Sequence, residues 1–281
     1  MDTPARVLRS GRWPGMRGER VETWGPHGAR VPVKGFEKSM LAMNRRPWIC
    51  QCGYAAANAP LDAGELKCES CGQYRRWHIR RIFCNSNSDY LDKKWPIEIF
   101  AHFLDVQRRC PDVTLINCTK RPENWLLRMI SVVHHIFKPD VDQVELYHWL
   151  MDWRTGVKVP TNIIQLTSVE NQPMADKRIT ELLKIPAACR GLSLEPLLGP
   201  VDISHWCIEG GAGGIDWAII GAESGPRRRE CKIEWIESLV EQGLEAGVAV
   251  FVKQISVNGK VETDMSKFPK NLQIREWPKG F

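Results

Sequence analysis

The chain of 281 residues is long enough to bury one sizeable core or two modest ones. Hydrophobic and charged contents of 43% and 26% are those of a globular protein, and no apolar run approaches the roughly 18 residues that span a bilayer. The formal charge of +6 is carried by residues 1–49, with ten Lys/Arg against four Asp/Glu, while the remainder balances at 29 of each sign.

Residues 1–49 are rich in Gly, Pro and Arg, with one short helix expected over Phe36–Asn44. No apolar stretch follows the basic residues, so this is no secretory signal. Ten cysteines without an export signal read as thiols and metal ligands of a cytoplasmic protein rather than disulfides. The basic leader, the Arg75, Arg76, Arg80 and Arg81 cluster beside Tyr74 and Trp77, and Arg227–Arg229 are candidate contacts for nucleic acid. No membrane partner is expected.

Residues 50–74 hold Cys50-x-Cys52 and Cys68-x-x-Cys71, each pair followed by a glycine, Gly53 or Gly72. Two thiolate pairs on facing tight turns complete a tetrahedral shell, so a zinc ribbon is expected, inserted ahead of the main domain. A closed four-cysteine site leaves no position for water, which makes this zinc structural.

Residues 75–281 are expected to form the main domain. Six β-rich runs recur there, at 80–87, 113–120, 162–169, 189–196, 216–223 and 248–254. Amphipathic stretches lie between them at 97–110, 123–137, 173–185 and 232–247. The last puts Ile233, Ile236, Leu239, Val240 and Leu244 on one face. Near-continuous apolar strands alternating with such helices predict an α/β fold, a partial (β/α) barrel or parallel sheet covered on both faces. No Gly-rich phosphate loop follows any strand.

Each run ends in polar residues, and parallel pairing gathers strand C-termini at one side. Glu170, Glu195 and Glu223 are therefore read as catalytic carboxylates that orient or deprotonate a substrate. Asn85, Ser86, Asp89, Lys120, Arg121, Asn171, Ser224 and Lys253 are read as substrate-binding, the cations toward a phosphate or carboxylate.

The segments IFCNSNSD, CTKRPENW, TSVENQPMADKRI, LSLEPLLGPVDI, DWAIIGAESGPRRR, VFVKQ and FPKNLQIREWP carry these strand ends. In this order the chain resembles the phage gene-product-37/gene-product-68 family, from about Trp24 to Trp277. The resemblance implies a phage or prophage origin and tolerates a zinc-ribbon insertion. It also implies kinship with radical S-adenosylmethionine enzymes, hence an iron–sulfur cluster, S-adenosylmethionine and radical-type modification of a nucleic acid or nucleotide. The family opens with three clustered cysteines, C-x6-C-x2-C-Y-A, and no cysteine precedes Cys50 here. Two other readings stand beside this one: a non-catalytic, nucleic-acid-binding zinc-ribbon protein, and a truncated, inactive gene product.

Overall fold

The computed structural model describes residues 36–45, 48–49, 55–56, 66–67, 74–75, 78–84, 88–137, 143–207 and 213–281. In chain order the elements are α1 (Phe36–Asn44), β1 (Trp48–Ile49), β2 (Ala55–Ala56), β3 (Leu66–Lys67), β4 (Tyr74–Arg75), β5 (His78–Ile79), β6 (Arg81–Cys84), α2 (Ile97–Arg108), β7 (Thr114–Thr119), α3 (Trp125–Ile136) and α4 (Val144–Thr155). They continue with β8 (Ile163–Ser168), α5 (Gln172–Leu183), β9 (Cys189–Leu194), β10 (Trp217–Gly221), α6 (Ile233–Glu245), β11 (Ala249–Val257) and β12 (Lys260–Glu262).

The main sheet has seven strands in the order β12-β11-β10-β9-β8-β7-β6. Strands β6 to β11 pair in parallel and in chain order, and β12 folds back antiparallel on β11. Sequential parallel strands with right-handed crossovers carry their helices on one face and curl the sheet around the other. The result is a half-barrel. The β11–β12 hairpin turns through Asn258 and Gly259, both left-handed at φ 49° and 70°, the backbone that an Asn-Gly pair adopts readily.

The alternation of side chains sorts the strand residues into two cores. Leu115, Ile163, Leu192, Leu194, Ala218, Ile220, Val250 and Val252 face the helices in the larger one. Ile116, Ile164, Leu166, Cys189, Trp217 and Ile219 face the concave side, with Cys118, Ala249 and Phe251 packed against them. Gly191 belongs to this concave face. A Cβ there would lie 2.6 Å from Leu166 Cδ2 and 2.8 Å from the Trp217 carbonyl.

Residues near the C-terminus close the lower, strand-N-terminal end of the concave face. Trp277 lies tilted against Trp217 at 4.7 Å and meets Phe251 at 5.9 Å, with the Arg81 guanidinium 3.9 Å over its ring. Trp217 Nε1 donates to the Glu276 carbonyl at 3.0 Å.

The helix expected over Phe36–Asn44 forms and joins this body. Met40 is fully buried in the larger core, Phe36 stacks on Phe103 of α2, and Glu37 pairs with Arg109. Two details of the helices differ from expectation. Leu244 of α6 is half exposed, because Gly243 sits against β11 instead; a Cβ there would be 2.6 Å from Val250 Cγ2. The close approach rotates the helix and turns Leu244 outward. Helix α4 is the next described element after α3 and buries Leu146, Leu150 and Trp153. Among the described residues no helix is long and apolar enough to cross a membrane.

Cys50, Cys52, Cys68 and Cys71 lie outside the described residues, so no zinc ribbon is shown. The short strands flanking them are paired: β1 antiparallel with β2 and with β5, and β3 antiparallel with β4.

Candidate functional site

The concave face changes character toward the strand C-termini. Below lie Ile164, Leu166, Trp217, Ile219 and Phe251; above them, in the same period-2 phase, come Cys118, Ser168, Ser193 and Gly221. One further step along each strand gives Lys120, Glu170, Glu195 and Glu223, while Lys253 follows Phe251 on β11. The phase is set by burial: Val169, Leu194, Ala222 and Val252, which alternate with these residues, all pack in the helix-side core. The three glutamates thus follow three adjacent strands, on one face and at one end.

Each glutamate is held by cations. Lys120 Nζ donates to Glu170 Oε1, and Arg178 Nη1 donates to Glu170 Oε2 at 2.7 Å and to the Ser168 carbonyl at 2.7 Å. Only 11% of the Glu170 side chain is exposed. Burial pushes its pKa up, but hydrogen bonding and charge from Lys120, then Arg178, outweigh this and hold the carboxyl below the ordinary carboxylate range. Glu170 is therefore ionised at neutral pH.

Lys253 Nζ reaches both oxygens of Glu195, at 2.9 and 2.7 Å, across the intervening β10. Gly221 gives it passage, since a Cβ there would already touch Glu195 Cγ at 3.5 Å and Gln254 Cγ at 3.3 Å. Gln254 Nε2 adds a third bond to Glu195, at 3.1 Å. Glu223 takes Arg229 through a fork, Nε at 2.8 Å and Nη2 at 2.7 Å, plus the Arg229 backbone N–H at 2.8 Å. That bond raises the Arg229 pKa, and the field of Glu170 contributes to the same rise.

The other sequence-predicted residues divide. Asp89 is committed to the end of β7: it accepts from Thr119 Oγ1 at 2.7 Å, the Lys120 N–H at 2.7 Å, the Leu91 N–H at 3.0 Å and Arg121 Nη1 at 3.1 Å. Asn171 caps α5, accepting from the Met174 N–H at 3.2 Å. Ser224 is exposed on the segment between Glu223 and Arg229. Asn85 and Ser86 lie outside the described residues. Lys120 is brought onto Glu170 and Lys253 onto Glu195, Glu223 pairs with Arg229, and Arg178 joins Glu170 unforeseen. Its one signal in the sequence is a cation two helical turns past the cap of α5, which reaches back to the strand end.

The described cysteines do not fit an iron–sulfur cluster. Cys84, Cys110, Cys189, Cys207 and Cys231 are buried, and Cys118 is largely so. Burial pushes the thiols of Cys118 and Cys84 up to about 11 and about 12, away from the thiolate that a metal requires. Among the described residues no three His, Cys, Asp or Glu side chains come together to hold a metal.

No curated protein and no solved structure matches the chain. A family model matches residues 42–279, which takes in every strand of the half-barrel and all of the strand-end residues above. The chain belongs to the family described as "Protein of unknown function (DUF5131)".

Proposed function

We propose that the strand-end face of the half-barrel is the substrate site of an enzyme that modifies a nucleotide or a nucleic acid. The observation that carries this reading is that Lys120, Glu170, Glu195, Glu223 and Lys253 come from five consecutive strands in one side-chain phase, with Lys120 bonded to Glu170 and Lys253 to Glu195 across neighbouring strands. Lys120 and Lys253 are the accessible cations of the set, with about half of each side chain exposed. Each can turn from its glutamate to a ligand phosphate, because the lysine end of the pair is open to solvent while the glutamate keeps a second partner, Arg178 or Gln254. The glutamate so released accepts a hydrogen bond from a hydroxyl or amino group of the same ligand. Arg178 stays behind on Glu170 and keeps it ionised. The phage kinship belongs to this proposal as well.

Binding of a fluorescent single-stranded oligonucleotide tests the reading. Lys253→Gln should weaken it three- to tenfold and lower the slope of log K against log salt by about one unit. Glu195→Gln should alter affinity while leaving the melting temperature within a few degrees. Wild-type protein that binds neither oligonucleotides nor mononucleotides at low salt would overturn the proposal.

A second reading, a non-catalytic nucleic-acid-binding zinc-ribbon protein, is favoured by a different observation. Cys50 and Cys52 fall in sequence between the paired strands β1 and β2, and Cys68 and Cys71 between the paired strands β3 and β4. Binding that depends on Arg75 and Arg76, ignores Lys253→Gln and yields no altered nucleotide by mass spectrometry would favour it.

A further inference from the structure

A half-open cleft of about 530 Å³ lies between the segment that follows β10 and the β11–β12 hairpin. Arg228, Arg229 and Glu230 line it from one side, Ser256, Asn258 and Gly259 from the other. It adjoins the strand-end face through one link: Arg229, on the cleft wall, is the residue forked onto Glu223.

The two guanidinium groups are fixed before any ligand arrives. Arg228 donates from Nε to the Gly259 carbonyl at 2.7 Å and from Nη1 to the Gly225 carbonyl at 2.9 Å. These bonds tie one wall to the other and leave Nη2 without a hydrogen bond among the described residues. Arg229 spends Nε and Nη2 on Glu223 and keeps Nη1. Both acceptors of Arg228 are backbone carbonyls, which carry no full charge, so its positive charge is not neutralised by a bonded carboxylate. Ser256 and Asn258, whose side chains are neutral hydrogen-bond donors, belong to the lining as well. Glu223 already balances the Arg229 charge, and in the lining itself the carboxylate is that of the exposed Glu230, too few oxygens for a divalent cation.

We infer that this cleft binds a phosphate group of the ligand whose remainder occupies the strand-end face, an inference that rests on the function proposed above. An anchored guanidinium loses little freedom on binding and matches a phosphate with two parallel bonds. The cleft fits a phosphate better than a carboxylate: its unused donors belong to four residues on two walls, which suits three peripheral oxygens rather than two.

Calorimetric titration with inorganic pyrophosphate, together with oligonucleotide anisotropy, tests the inference. Arg228→Gln should weaken pyrophosphate about tenfold, and Glu230→Gln should tighten it about threefold by removing the like charge. Since Arg228→Gln also unties the two walls, Arg228→Lys, which restores the charge without the fork, should recover part of the loss. Thermal melting checks that all variants fold. Pyrophosphate affinity indifferent to Arg228→Gln and Glu230→Gln would overturn the inference, as would wild-type protein that ignores millimolar pyrophosphate. If oligonucleotide binding then still falls in Lys253→Gln, the strand-end reading survives without the cleft. If pyrophosphate obeys the cleft variants while Lys253→Gln and Glu195→Gln leave oligonucleotides unaffected, the cleft survives and the strand-end reading falls.

Discussion

Replacing Arg178 with methionine keeps most of its apolar stem and deletes its charge. The wild-type residue makes two charge-assisted bonds at 2.7 Å, to Glu170 and to the Ser168 carbonyl, and both it and Glu170 are nearly buried, with side chains 12% and 11% exposed. Breaking a fully buried pair costs about 3–5 kcal/mol. Here Lys120 remains on Glu170, but it is half exposed and screened by solvent. The expected loss is therefore about 2–3 kcal/mol at pH 7, the range of one hydrogen bond to a charged group. The pH dependence is the sharper test. Glu170 titrates below its unfolded value of about 4.3. Its contribution is thus fully present above that value and lost as pH falls through the lower folded one. In Arg178→Met the burial that pushes Glu170 upward is less opposed, so the variant has less to lose in acid. The deficit should be full at pH 7 and shrink below about pH 4. Urea denaturation followed by tryptophan fluorescence at pH 7 and pH 3.5 measures both. The double variant Glu170→Gln, Arg178→Met should recover about half of the pH 7 loss. A deficit under about 0.5 kcal/mol, or one equally large at both pH values, would refute the assignment of Arg178 as the buried partner of Glu170.

Two further outcomes are expected. Gly191→Ala should cost about 1–3 kcal/mol in thermal unfolding, because its Cβ must displace Leu166 Cδ2 from 2.6 Å and the Trp217 carbonyl from 2.8 Å; an unchanged melting temperature would show that the concave face is looser than drawn. Purified protein should hold about one zinc per chain, and Cys68→Ser should abolish it, with elemental analysis as the measure; structural zinc sites bind with roughly 10 kcal/mol or more, so a metal-free wild type would end the proposal.

Periodicity in the sequence determined most of the half-barrel. The six apolar runs coincide with β6 to β11 within a few residues, and four amphipathic stretches became α2, α3, α5 and α6, because alternation of burial leaves a direct trace in residue order. The strand-end glutamates were legible for the same reason: parallel pairing sends every strand C-terminus to one side, whatever the details of packing. What only the tertiary structure decided is who meets whom. Lys253 bonds Glu195 across β10 because Gly221 leaves the space, and Arg178 reaches Glu170 from a helix on the opposite face of the sheet. Asp89, equal to its neighbours as a polar residue in the sequence, spends its oxygens on the end of β7. Leu244 and Gly243 exchanged places on α6 because contact distance, not apolar count, sets how a helix rolls on a sheet. The arginines of the cleft stand out in the sequence as a basic run, but the wall they face does not. The cleft exists because an Asn-Gly hairpin and a loop distant in the chain are bridged by one guanidinium, and such a meeting depends on the register of two strands rather than on the order of residues along either.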